Sequence, residues 1–202
     1  MGPLYPILDV EAAAAHGHDL LACARGFASL GLGTQQLRAK QLASRDFLRL
    51  AEALAAIVPA LIINDRADIA WLSGAGGVHA GQTDLPAAAV RELLPQGIVG
   101  VSTHTLEQAR KALEQPIDYL AAGPVYATRS KKEPDAVVGV EFLRTVRPLT
   151  SLPLVAIGGI QVSNCRAVWA AGANAVAVIS GLWASADPVS AASQFLLAFE
   201  RV

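Results

Sequence analysis

Short apolar runs alternate along the whole chain with Ala- and Leu-rich segments of helical period. The pattern predicts strands at Leu4–Leu8, Thr34–Arg38, Ala60–Asn64, Gly76–Ala80, Ile98–Ser102, Tyr119–Ala122, Leu154–Ile157 and Ala175–Ile179. Runs such as LVAI and AVAVI are continuously hydrophobic, the texture of parallel strands covered on both faces. Between them, Ser44–Ile57 and Leu106–Leu113 read as amphipathic helices with polar starts at Ser44 and Thr105. GLGTQQLR, GAGGVH and AGANAVAV recur as glycine-bearing turns that enter a strand. Eight strands in strict alternation with eight helices predict an α/β fold, a single-domain (β/α)8 TIM barrel over residues 1–202. Right-handed crossovers would place every helix outside it. A doubly wound open sheet would alternate in the same way, but no GxGxxG follows the first strand.

Composition narrows the reading. Spread over eight units, 202 residues leave about 25 per βα repeat, close to the lower size limit of such barrels. A hydrophobic share of 53% against 16% charged excludes disorder and coiled coil. A net charge of −1 removes the electrostatic case for nucleic acid as a partner. The mean hydropathy of +0.41 raises the question of a membrane, and Ala167–Ala186 carries no charge. Gly172, Asn174, Ser180 and Gly181 interrupt that stretch, which reads as buried helix, turn and buried strand. Two cysteines, Cys23 and Cys165, fit a reducing compartment and read as small buried hydrophobes in helices. No basic segment precedes the first apolar run, so MGPLYPILDVE is not read as a secretory signal. The expectation is a soluble cytoplasmic protein, and the oligomeric state is not legible.

In a barrel of this kind the site lies at the C-terminal ends of the strands. Strand two ends in QLRAK, with Gln36, Arg38 and Lys40; strand three in Asn64-Asp65; strand four in His79, then Gln82 and Asp84. Strand five brings Ser102 and His104, and strand six runs into GPVYATRSKK with Thr128, Arg129, Ser130, Lys131 and Lys132. Gly158-Gly159 and Ser180-Gly181 follow strands seven and eight. The cations Arg38, Lys40 and Lys131 suit a multiply charged anion. Asp65 and Asp84 are hard oxygen donors, and Mg²⁺ takes one or two carboxylates together with substrate phosphate. With the amide of Asn64, this set reads as a magnesium diphosphate site. The two glycine turns read as a phosphate cup, where backbone N–H groups approach an anion. Two phosphate-bearing ligands are therefore expected. Each piece has a plainer alternative: Asp65 and Asp84 as helix caps, Arg38 and Lys40 as a solvated rim, Lys131-Lys132 as a solvated loop, Gly158-Gly159 as a tight turn. His79 reads as a hydrogen-bonded wall residue and His104 as a helix-start histidine.

Together QLRAK, IINDR, GVHAGQTDLP, GVSTH, GPVYATRSKK, VAIGGI and AVIS, in that order along nearly the full length, resemble the thiamine phosphate synthases. That family shares a superfamily with the thiazole tautomerases. The resemblance implies a TIM-barrel transferase that joins hydroxymethylpyrimidine diphosphate to a thiazole phosphate. Its products would be thiamine monophosphate and pyrophosphate, and it would require Mg²⁺. It implies pyrimidine diphosphate contacts at Gln36, Arg38, Lys40, Asn64, Ser102 and Lys131, and a metal on Asp65 and Asp84. It implies thiazole phosphate contacts at Thr128, Ser130, Gly159, Ile179 and Ser180. Arg38, Lys40 and Lys131 would stabilise charge growing on the leaving group, with no protein nucleophile needed. Two positions depart from the family pattern. Ala39 stands where an acidic residue is usual, and Arg129-Ser130-Lys131 stands where a Thr-Lys ending is common. The rival readings are a thiazole tautomerase and a non-catalytic barrel that binds a phosphate ester. The tautomerase's usual histidine after the strand-six glycine is replaced here by Pro124, and neither rival needs the aspartate pair.

Overall fold

The computed structural model describes residues 1–128 and 136–201. Its strands are β1 (Leu4–Asp9), β2 (Thr34–Arg38), β3 (Ala60–Asn64), β4 (Gly77–Ala80), β5 (Ile98–Thr103), β6 (Tyr119–Ala122), β7 (Leu154–Ile157) and β8 (Ala175–Val178). Each pairs in parallel with the next, and β1 pairs with β8 through Tyr5 and Ala177, so the sheet closes into an eight-stranded barrel. The predicted strand centres hold, and their ends move by a residue in β1, β4, β5 and β8.

Strict alternation does not hold. Two helices follow β1, α1 (Val10–Ala15) and α2 (Leu20–Ser29), and two follow β8, α9 (Ser180–Trp183) and α10 (Pro188–Phe199). The cause lies in local caps. Asp9 accepts the Ala12 N–H at 2.8 Å and starts α1, and Asp19 accepts from Leu21 and Ala22 and starts α2. Asp187 does the same for α10, whose first residue is Pro188. The other helices are α3 (Ser44–Ala55), α4 (Ala67–Ser73), α5 (Ala87–Leu93), α6 (Leu106–Leu113), α7 (Gly139–Val146) and α8 (Cys165–Ala170). Thr105 caps α6 by accepting from Gln108 N–H, whereas Ser44 is not a cap, because Ala43 holds that position. The uncharged stretch 167–186 divides into α8, β8 and α9, and no helix among the described residues is long and apolar enough to cross a membrane.

The core has two shells. Outward side chains such as Leu37, Ile63, Val78, Val99 and Leu120 pack under the helices. The alternate, inward set (Tyr5, Ile7, Ile62, Tyr119, Ala121, Val155, Ala175 and Ala177) fills the barrel itself, as a period of two requires. Ring size is accommodated by a neighbour without a side chain. A Cβ on Gly100 would stand 2.0 Å from the Tyr119 ring. Gly100→Ala is therefore expected to destabilise the chain by about 1–3 kcal/mol through overpacking. A thermal melt would read this as a Tm several degrees lower, and an unchanged Tm would show that the ring has room to move.

Candidate active site

The same alternation turns Gln36 and Arg38 of β2, Asn64 of β3, His79 of β4 and Ser102 of β5 toward the barrel axis at the C-terminal end. Neighbouring strands place Asn64 level with His79 and Ser102 level with Ala121. Around Asp65 the predicted polar residues meet. Its carboxylate accepts from the Lys40 ammonium and from the Asn64 amide, and it lies within hydrogen-bonding reach of Asp84. Asp84 in turn accepts the Gly81 N–H at 2.7 Å.

The backbone at Asp65 is unusual. Its φ is 63°, the only positive φ of a non-glycine among the described residues. Its N–H bonds the His79 carbonyl at 2.8 Å, which pins the left-handed turn to the end of β4. Left-handed conformations in non-glycine residues store roughly 1–3 kcal/mol and concentrate at functional sites. Neither aspartate is a helix cap. The cap positions of α4 and α5 are Arg66 and Pro86, neither with a side-chain cap bond, so the capping alternative is corrected.

Charge in this cluster is balanced against burial. Burial raises the Asp65 carboxyl above the ordinary carboxylate range; the hydrogen bond from Lys40 opposes the rise, and Asp84 adds to it. Arg38 is not left on a solvated rim: it pairs with Asp9, which is 3% exposed. Lys40 is the more exposed partner of Asp65, with 54% of its side chain exposed. Two carboxylates held together, relieved by one ammonium, form a donor set that fits a hard divalent cation. Among the described residues no group of three or more His, Cys, Asp or Glu gathers into a metal cage. Any such ion would therefore complete its shell from water and substrate oxygen.

The second predicted cluster lies across the mouth. Gly158 and Gly159 have φ of 102° and 63°. The loop after β6 presses against them: Val125 N–H bonds Ile157 O at 2.8 Å and Tyr126 N–H bonds Gly158 O at 3.0 Å. A Cβ on Gly159 would meet Ala127 O at 2.4 Å. This brings the β7 turn against the chain leading to half-buried Thr128. Ile179 follows β8 and exposed Ser180 opens α9, and a Cβ on Gly181 would stand 2.8 Å from Ile160 O. Thr128, Gly159, Ile179 and Ser180 thus sit on three adjoining strand ends. Arg129, Ser130, Lys131 and Lys132 lie outside the described residues.

A family profile described as thiamine monophosphate synthase matches residues 4–182. The thiamine-phosphate synthase of Koribacter versatilis is 49% identical over 170 residues, 82% of this chain and 80% of the relative. That of Albidiferax ferrireducens is 47% identical over 167 residues, 80% of this chain and 76% of the relative. The chain belongs to the thiamine monophosphate synthase family. Its fold follows a solved structure titled thiamine phosphate pyrophosphorylase, from Pyrococcus furiosus, with a TM-score of 0.88 at 30% identity, covering 98% of this chain and 96% of that one.

Within this family member, three side chains at or beneath the mouth escape a reading of the sequence. Asp9 holds Arg38 while its other oxygen caps α1. Glu11 accepts the Gln41 N–H at 2.8 Å, tethering the loop after Lys40, and its second oxygen is buried with no partner among the described residues. Tyr119 bonds His79 Nδ1 at 2.8 Å. The available signal is the period of β1, which puts Tyr5, Ile7 and Asp9 on one face. The His79 expectation holds: it is a hydrogen-bonded wall residue, 7% exposed. Ala39 lies buried in the shell beneath the helices, away from the mouth that Arg38 and Lys40 face.

Proposed function

We infer that this chain is a transferase that joins hydroxymethylpyrimidine diphosphate to a thiazole phosphate, giving thiamine monophosphate and pyrophosphate. The observation that carries the reading beyond family membership is the Asp65 cluster, where Asp84, Lys40 and Asn64 meet one carboxylate. A thiazole tautomerase or a passive phosphate-ester barrel has no use for such a pair.

The chemistry needs no protein nucleophile. The bond between the pyrimidine methylene carbon and the diphosphate oxygen breaks, and its electron pair leaves with pyrophosphate. The electron-rich aminopyrimidine spreads the positive charge, and the thiazole nitrogen then supplies the pair for the new C–N bond. Arg38, oriented by Asp9, and Lys40, able to swing from Asp65 to an incoming anion, would receive the charge growing on the leaving group. Lys131 is assigned the same role from the sequence alone. Gln36, Asn64 and Ser102 would orient the pyrimidine, and Thr128, Ser130, Gly159, Ile179 and Ser180 would hold the thiazole phosphate. Mg²⁺ on Asp65 and Asp84 would neutralise diphosphate charge as a Lewis acid. Two free, buried cysteines support a cytoplasmic assignment.

The test is direct. The chain is incubated with both substrates, with Mg²⁺ or with a chelator, and the product is read by mass. The expected result is thiamine monophosphate with the metal, loss of product with chelator and recovery on adding Mg²⁺. No product in any arm would overturn the reaction, and equal product in both arms would overturn the metal.

A further inference from the structure

The glycine turn after β7 is gripped from its helix side by one side chain. Asn164 Nδ2 donates to Gly159 O at 3.1 Å, and Asn164 Oδ1 accepts the Gln161 N–H at 2.8 Å. Both partners are backbone groups, so neither bond has a choice of direction: a carbonyl only accepts and an amide N–H only donates. The planar amide thus holds the peptide on each side of Ile160. Asn164 is itself fixed, its N–H on Gln161 O at 3.1 Å and its carbonyl under the Tyr126 hydroxyl at 3.4 Å. It precedes α8 but makes no side-chain cap bond to that helix; its amide is committed to the turn.

In a trans peptide the C=O and the N–H that follows it point to opposite sides. With Gly159 O drawn toward Asn164, the Ile160 N–H points away from it. With the Gln161 N–H drawn toward Asn164, Ile160 O points away as well. That far side is the turn after β8, because a Cβ on Gly181 would stand 2.8 Å from Ile160 O. The Ile160 N–H therefore faces the side of Ser180 and Gly181. The preceding peptide obeys the same rule: Tyr126 N–H holds Gly158 O at 3.0 Å, which turns the Gly159 N–H away from the β6 loop. Among the described residues neither the Gly159 nor the Ile160 N–H has a hydrogen-bond acceptor. Successive N–H groups presented by a turn in this way are suited to an anion.

We propose that Asn164 is a positioning residue for the thiazole phosphate, whose amide holds the turn so that the Ile160 N–H joins that of Gly159 in the phosphate cup. This rests on the functional reading above and adds to it one backbone donor and the side chain that aims it. The role needs a donor and an acceptor on one short planar group, which a primary amide supplies and a carboxylate does not. Asn164 itself need not touch substrate.

The experiment uses the full chain, isotopically labelled, and Asn164→Ala, which removes both hands of the amide. Asn164→Ser, a favoured residue at a helix start but one atom too short to span to Gly159 O, serves if the alanine variant fails to fold. Backbone NMR without ligand should show the Gly159 carbonyl and the Gln161 amide shifting in the variant. Titrating the unaltered chain with the thiazole phosphate should move the Gly159 and Ile160 amide protons downfield as they bond the phosphate. In the variant most of the Ile160 movement should be lost. Steady-state kinetics of the variant should show the KM for the thiazole phosphate raised about tenfold, the scale of one lost hydrogen bond to a charged group. The KM for the pyrimidine diphosphate should change less than about twofold, since Gln36 and Asn64 stand on other strands. An Ile160 amide that ignores the thiazole phosphate in the unaltered chain would overturn the proposal. So would equal rises in both KM values, or no rise in either. If the unaltered chain makes no thiamine monophosphate, the functional reading fails, while the response of the Ile160 amide, read without turnover, still decides whether Asn164 serves a phosphate site.

Discussion

Asp65→Asn is expected to lower turnover by about 10²–10³-fold, the scale of removing one preorganised group that stabilises developing charge, while the fold stays intact. Asparagine has the same shape and tolerates the left-handed conformation that Asp65 adopts at φ 63°. The backbone bond to His79 O is independent of the side chain, so the turn should survive. The charge does not. A neutral amide at this position would leave Asp84 as the single carboxylate of the pair and would remove the carboxylate on which Lys40 rests. The measurement is a coupled pyrophosphate-release assay at saturating substrates across a Mg²⁺ series, with circular dichroism as the folding control. Near-normal turnover at every metal concentration would end the assignment of Asp65 as a metal ligand.

Gly159→Ala should damage the other half of the mouth. At φ 63° an alanine is strained, by roughly 1–3 kcal/mol. Its Cβ would also stand 2.4 Å from Ala127 O and 2.8 Å from Tyr126 Cβ. Both contacts involve the chain that leads to Thr128, so relief requires the β6 loop to withdraw from the β7 turn. Overpacking adds a further ~1–3 kcal/mol. The expected result is a Tm lower by several degrees and a KM for the thiazole phosphate raised at least about tenfold. Calorimetric binding of the pyrimidine diphosphate should change little, because Gln36, Lys40 and Asp65 belong to β2, β3 and the turns that follow them. A normal thiazole phosphate KM would place that phosphate away from Gly159.

Both predictions concern residues that a linear reading reaches. A period of two along β2 puts Gln36 and Arg38 on one face, and the rule that barrel enzymes work at strand ends selects Asp65, Asp84, Gly159 and Ser180. The family resemblance arranges the same residues into two ligand sites, and the fold brings the described ones into two groups at one mouth. The extra helices after β1 and β8 escape a reading that gives each of eight units one helix, although their caps, Asp19 and Asp187, are visible in the sequence. Ser130 and Lys131, which the sequence also selects, lie outside the described residues.

What the sequence determined by itself was the order and hydrophobic period of the strands, hence the barrel, and the list of polar side chains at its open end. Those are local properties, set within a few residues. Only the tertiary structure decided that Asp9 orients Arg38, that Lys40 rests on Asp65, and that Gly100 makes room for the Tyr119 ring. It alone decided that Tyr5 meets Tyr119 across 114 positions of chain. These contacts join side chains from different strands. Their meeting depends on closure and register of the whole sheet, which no short stretch of residues encodes.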